Sequence, residues 1–368
     1  MDRELTAGKF GAALRRQREG LKSSIEGVAE LAGVLPERIL AIEKGQPPTT
    51  SEVAKLASAL AVDPAALWRG EVSLARTTAR FLAPLGVPAL AREDASLLAR
   101  AAEAGRIVAH LSALLGRPAS PVVAARRVLP IAAWPDPWEQ GYKLGAKARL
   151  LLHGGQAPVA SMARLFERLG VHVARVTFQS PDVLAASLYE PGAAPVVLLN
   201  QAAPRVRAKL SRRAVLAHEL CHLLHDGGET DLLTLVSRGN DSSAHEQRAN
   251  AFAPGFVVPG GWLEPHTTDA RALARDVATR WGLSFEGAAW HLKNAGKLSN
   301  AEADELSRAH EQISDDDFEH EPDRLPSERC GVAAPAPLAH GLLSDLALLA
   351  YEHELISKGR AAEILELR

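Results

Sequence analysis

The chain has 368 residues, 47% hydrophobic and 23% charged, with a formal net charge of −2. That balance fits a globular chain of two or three domains and gives no electrostatic case for coating nucleic acid or a membrane surface. Two distant cysteines, Cys221 and Cys330, exclude a disulfide framework. MDRELTAGKF lacks an apolar signal-peptide core and no apolar run reaches membrane-spanning length, so a cytoplasmic protein without a membrane partner is expected.

Residues 9–69 read as short helices broken at glycines. KFGAALRRQRE places apolar Phe10, Ala13 and Leu14 together. SSIEGVAELAG follows, with Ser23 or Ser24 as N-cap and Gly33 as the stop. LPERILAIEKG and TSEVAKLASALAVDPAALW complete the set. Ala29 and Gly33 at a tight turn, Ile39 and Ile42 as core residues, and the IEKG ending at Gly45 resemble the helix-turn-helix domain of Xre/Cro-type repressors. That resemblance implies base-edge contacts from the helix after the turn. Arg38 is the good reader there, with Lys44 as a second basic candidate, whereas Glu37 opposes phosphate. Residues 1–70 carry ten Lys or Arg against nine Asp or Glu, less positive than a phosphate-dependent binder usually is. DNA binding and a dimerisation or partner-binding bundle both stay open.

Residues 71–133 read as a helical connector. WPDPW, residues 134–138, marks a boundary with two aromatic anchors. EQGYKLGAKARLLL and VASMARLFERLG read as helices. VHVARVTF reads as a strand with Val171, Val173 and Val176 alternating, and VLAASLYE and APVVLLN as two more. APVVLLN is either a sheet edge beside a cleft, able to pair with an extended peptide, or an ordinary core strand. The basic run Arg205, Arg207, Lys209, Arg212 and Arg213 reads as a solvated helix face.

LSRRAVLAHELCHLLHD then carries the chemistry. His-Glu occurs five times, and only His218-Glu219 is followed by a histidine four residues after the first, His222. On a helix the two imidazoles share one face and can grip one metal. Val215, Leu216, Ala217, Leu220, Leu223 and Leu224 bury that helix, where two imidazoles and a carboxylate need a partner. Glu219 lies beside the metal and can take a proton from water. A third ligand must come from elsewhere. His225 lies about 10 Å along the axis, too far for a tetrahedral set. Glu246 opens a helix after a loop of suitable length, with His245 as the neighbouring alternative. Asn250, four residues on, could steady a ligand by a hydrogen bond. Cys221 reads as a small buried apolar residue. Tyr189 and His172 could stabilise an oxyanion, though nothing in the sequence positions them.

HELCH followed by EQRANAFA resembles the ImmA/IrrE family of bacterial metallopeptidases, over about residues 140–260. The resemblance implies a gluzincin-like site with His218, His222 and Glu246 as ligands and Glu219 as base. It also implies a regulatory role, cutting a transcriptional repressor under stress or during induction of a mobile element. Zinc is the expected metal, with manganese as the alternative. The runner-up readings are a DNA-binding regulator that uses the metal fold as a sensor, and an antitoxin or phage-defence component.

Residues 263–310 read as another helix-turn-helix-like unit with Gly282 at its turn, 311–337 as a linker with a solvated acidic run (Asp315–Asp317, Glu319, Glu321), and 338–368 as a helical hairpin around Ser357–Gly359. The expected architecture is multidomain and mainly α with a small β-sheet: a helix-turn-helix bundle (1–70), a connector (71–133), an α+β zincin-like metallopeptidase domain (134–262) and helical C-terminal units. The expected partner is a specific protein substrate, with DNA through residues 1–70 and a homodimer as further options.

Overall fold

The structure, a computed structural model, describes residues 2–20, 24–60, 62, 64–70, 92–131, 136–179, 181–226, 232–237, 243–319 and 337–366. It divides into two compact units, Met1–Glu103 and Ala104–Arg368.

The first unit holds α1 (Asp2–Gly20), α2 (Ile25–Ala32), α3 (Pro36–Glu43), α4 (Thr50–Ala59) and α5 (Pro64–Arg69). Ser24 caps α2 by accepting from Gly27 N at 3.0 Å, and Gly33 ends it at φ 59°. That left-handed angle is open to glycine without a Cβ clash. The next helix can therefore start three residues later, at Pro36. Phe10, Leu14, Val28, Ile39, Ile42 and Leu56 close one apolar core between them.

α6 (Arg92–Leu114) leads into α7 (Pro121–Val128), α8 (Pro137–Leu152) and α9 (Met162–Arg168). The sheet follows, with β1 (His172–Val176), β2 (Val183–Tyr189) and β3 (Val196–Asn200). Then come α10 (Pro204–Arg207), α11 (Lys209–His225), β4 (Leu232–Ser237) and α12 (Ala244–Val257). α13 (Ala270–Trp281), α14 (Phe285–Asn294), α15 (Asn300–Ser307), α16 (Leu342–Glu352) and α17 (Lys358–Ile364) complete the chain. No described helix is long and apolar enough to cross a membrane.

The sheet order is β1-β3-β2-β4, with β1 parallel to β3 and β2 antiparallel to both its neighbours. APVVLLN is thus a core strand: β3 lies inside the sheet and is buried throughout. The edge strand β4, LLTLVS, is not among the strands expected from the sequence. β1 differs from its expected register. His172, Ala174 and Val176 are its buried set, while Val173 is half-buried. His172 can face inward because its Nε2 meets Leu338 O at 2.8 Å. Burial holds its pKa down at about 4, so the ring is neutral and there is no charge to solvate.

α11 lies in the middle of the largest core, with Leu216, Ala217, Leu220 and Leu223 fully enclosed. α12 packs on it and on α8. α8 approaches α12 closely because glycines face the contact. A Cβ on Gly141 would stand 2.2 Å from Arg248 O, and one on Gly145 would stand 2.5 Å from Phe252 O. Both carbonyls belong to helix backbone and cannot step aside. Gly145→Ala is therefore expected to destabilise the chain by about 1–3 kcal/mol or more, as overpacking does. A urea midpoint equal to wild type would mean that α8 and α12 are not in contact there.

Two charged stretches sit differently from the sequence reading. Arg212 and Arg213 are buried, and Arg213 is fully enclosed. Arg213 Nη1 pairs with Glu319 Oε1 at 3.0 Å. Its other N–H groups reach Val159 O at 2.7 Å and Gly282 O at 3.1 Å, and its guanidinium lies over Phe318 at 4.4 Å. Glu319 in turn accepts from Met162 N at 2.6 Å in the first turn of α9. The acidic run is therefore not wholly solvated: Glu319 folds back to compensate Arg213, the fully enclosed arginine of α11. Glu321 lies outside the described residues.

Residues 263–310 share the core of α11 through Leu273, Val277, Trp281 and Phe285. Gly282 ends α13 at φ 70°, the turn position read from sequence. In α14, His291 Nε2–H donates to Val258 O at 2.8 Å, and its Nδ1 faces Tyr142 Oη at 3.1 Å. α16 and α17 pack with Val108 and Leu111 of α6 in a smaller core, and Ser357 caps α17.

Candidate metal centre

Apolar residues on nearly every side of α11 carry His218, Glu219 and His222 into the interior, where Glu219 is fully buried and His222 is 1% exposed. Glu246 arrives from the first turn of α12. Ser243 caps that helix, its hydroxyl accepting from Glu246 N at 3.3 Å. A carboxylate in the first turn also suits the helix dipole.

His218 Nε2 and His222 Nε2 stand 3.0 Å apart. Glu246 faces both, with Oε2 3.2 Å from His218 Nε2 and Oε1 3.3 Å from His222 Nε2. One ligand atom from each of the three lies within 4.8 Å of the others. The far sides of both rings are committed. His222 Nδ1 meets Asp226 Oδ2 at 2.6 Å, and His218 Nδ1 meets Asn250 Oδ1 at 3.1 Å. A carboxylate can only accept, so His222 Nδ1 donates to Asp226 and Nε2 is left facing inward, open to a proton or a metal. Lone pairs from two rings and a carboxylate at this spacing repel one another unless a cation sits among them. Two nitrogens and one oxygen are a donor set that fits a divalent metal of the zinc type.

The electrostatics agree. Burial opposes charge on Glu246, but its contacts to both rings hold its carboxyl down at about 2. Burial likewise opposes a proton on His222, yet Asp226 and Glu246 raise it to about 10. The same surroundings favour any cation at Nε2, so proton and metal compete there and metal affinity falls as the pH is lowered. Burial raises Glu219, with the two histidines pulling the other way. Ser187 Oγ donates to Glu219 Oε2. Glu219 Oε1 has no hydrogen-bond partner among the described residues.

Other residues considered from sequence fall outside this group. His245 is well exposed, and its Nδ1 turns to Asp226 Oδ1 at 2.9 Å. His225 stacks edge-on toward Phe252 at 6.0 Å between centroids. Cys221 is buried and free, and burial pushes its thiol well up, as suits an inert packing residue. Tyr189 lies under the Arg126 guanidinium at 4.6 Å, and His172 faces Leu338. Asp226 was missed, although an acid one turn after His222 is a readable signal. It accepts from Arg248 Nη2 as well as from the two histidines. Ser187 gave no signal, being 32 residues from its partner.

In the first unit, Arg38 is tied down. Its Nε and Nη2 grip both Glu52 oxygens at 2.7 and 2.9 Å, and it also reaches Gln46 Oε1 at 3.0 Å and Pro47 O at 2.9 Å. Glu52 is at the same time bonded to Thr49 N at 2.7 Å, closing the start of α4. A base contact by Arg38 must first break this pair. Lys44 is exposed at the end of α3. Leu35, 72% exposed, and Leu40 also stand out from that helix.

Comparison with known families places these observations. Residues 166–293, which span the sheet, α11 and α12, match the IrrE N-terminal-like domain of the M78 peptidases. Residues 9–68 match a helix-turn-helix domain. No curated protein and no solved structure matches the chain. Two domains are thereby assigned, an IrrE N-terminal-like domain of the M78 peptidase family and, ahead of it in sequence, a helix-turn-helix domain.

Proposed function

We infer that the chain is a zinc-dependent regulatory metalloendopeptidase of the cytoplasm. It cuts one specific protein, such as a transcriptional repressor, in a stress or mobile-element response. The observation that carries this reading is the convergence of His218, His222 and Glu246 beside a buried Glu219 with one unpartnered oxygen. The two histidines and Glu246 would hold the metal, zinc first and manganese second for such a donor set. Bound there, the metal supplies Lewis acidity, polarising a peptide carbonyl and acidifying water.

Glu219 does the proton work. Its Oε1 takes the proton of the attacking water and passes it to the leaving amine. Asp226 and Asn250 hold the two rings in the tautomer that leaves Nε2 free. A site that only held a metal for structural reasons would need no carboxylate at position 219, which favours the enzyme over a pure sensor. The helix-turn-helix match supports a regulatory setting, with DNA or a protein partner engaged through residues 1–70.

The test is incubation of the purified chain with soluble lysate of its source cells, with and without a chelator, read by mass spectrometry for new termini. Discrete termini that disappear on chelation are expected. A metal-loaded protein that generates none, even in lysate of stressed cells, would put the DNA-binding sensor first. The ligand set is checked separately. Glu246→Ala is expected to lower bound metal from about one per chain to near zero, while His245→Ala leaves it unchanged. The reverse result by elemental analysis would move the third ligand to His245.

A further inference from the structure

We propose that Ser187 is a positioning residue for proton transfer: its hydroxyl fixes one oxygen of the Glu219 carboxylate so that the other stays turned to the reacting water. This rests on the metallopeptidase reading above.

Ser187 lies in the middle of β2 and is fully buried. It is held in the ladder on both sides, opposite Val197 of β3 and Thr234 of β4. Its backbone is therefore fixed by two neighbouring strands. Its Oγ reaches across to α11 and touches Glu219 Oε2. An ionised carboxylate has no hydrogen to give, so the hydroxyl donates. β2 is otherwise an apolar run of Val183, Leu184, Ala185, Ala186 and Leu188, ending in Tyr189. A hydroxyl inside such a strand needs a partner, and here the partner is the proposed base.

The other carboxylate oxygen explains why this contact matters. Oε1 is buried and has no partner among the described residues. A carboxylate with two free oxygens beside two imidazoles could rotate about its terminal torsion and present either. Anchoring Oε2 to a central strand removes that freedom and leaves a single oxygen for the proton. Active-site groups need such support, because a base held loosely by an ångström loses rate without losing its identity.

The experiment uses the full chain loaded with zinc, and as substrate a peptide spanning the cut that wild type makes in lysate. Ser187→Ala is expected to lower kcat about 10–100-fold, the range for losing a partner of this kind, with KM within about twofold and metal content unchanged. Ser187→Thr keeps the hydroxyl and is expected to recover to within about threefold. Ser187→Ala on top of Glu219→Gln should slow the enzyme no further, since the two act as a unit. An unchanged kcat in Ser187→Ala overturns the proposal, and so does a loss explained by missing metal. A second measurement is independent of turnover: urea midpoints of wild type, Ser187→Ala, Glu219→Ala and the double variant, all after chelation. Non-additive shifts support the hydrogen bond and additive shifts overturn it. If wild type cuts nothing, the peptidase reading fails, and this cycle alone decides whether Ser187 holds Glu219.

Discussion

Glu219→Gln is expected to abolish cleavage while leaving the metal and the fold in place. The amide is nearly isosteric with the carboxylate, and its oxygen can still accept from Ser187 Oγ, the hydrogen-bond donor to the Glu219 carboxylate among the described residues. What the amide cannot do is take a proton at the position of Oε1. Loss of a positioned general base lowers rate by about 10²- to 10⁴-fold. Metal content should stay at the wild-type value, because neither oxygen of Glu219 is among the three converging ligand atoms. Stability should hold or rise, since burial disfavours the charge that the substitution removes. The measurements are a cleavage time course, elemental analysis and a urea titration on the same preparation. A variant that binds metal and still cuts at the wild-type rate would remove Glu219 from the mechanism.

The second large effect lies away from the metal. Glu319→Ala leaves the fully enclosed Arg213 guanidinium without its carboxylate and takes the acceptor from Met162 N. Removing one partner of a buried pair costs about 3–5 kcal/mol. The carbonyls of Val159 and Gly282 still accept from Arg213 and hold the loss toward the lower end. Glu319→Gln keeps an acceptor for both neighbours and loses only the charge, so it should fall between Ala and wild type. Urea unfolding reads both. A loss below about 0.5 kcal/mol for Glu319→Ala is what a surface position gives, and it would return residue 319 to the solvated run read from sequence.

The difference between the two residues shows what can be read in one dimension. His218, Glu219 and His222 are legible because a helix brings residues four apart onto one face, whatever surrounds it. The apolar residues around them say that the face is buried. Glu246 is legible for a related local reason: Ser243 caps a helix, and Glu246 stands in its first turn. Asp226, one turn past His222, could have been read by the same rule. The helix-turn-helix unit is legible through Gly33, whose positive φ is a demand on a single residue.

Arg38 marks the limit of that kind of reading. Its place in α3 follows from the chain, but its engagement with Glu52, on the next helix, does not. The same holds for the inward turn of His172, whose ring meets Leu338 far along the chain, and for the edge strand β4, which pairs along β2.

Local rules of the chain by themselves determined the helix-turn-helix bundle, the two-histidine helix, the glutamate beside its first histidine and the third-ligand candidate. These depend on helical periodicity, capping and burial of an apolar face, all acting within about one or two turns. Tertiary structure alone decided that Ser187 meets Glu219, that Glu319 returns 106 residues to Arg213, and that Gly141 and Gly145 let α8 close on α12. Each of those contacts joins residues with no local relation. They form because a buried charge, a buried hydroxyl or a close helix crossing must be satisfied by whatever the packed core brings within a few ångströms.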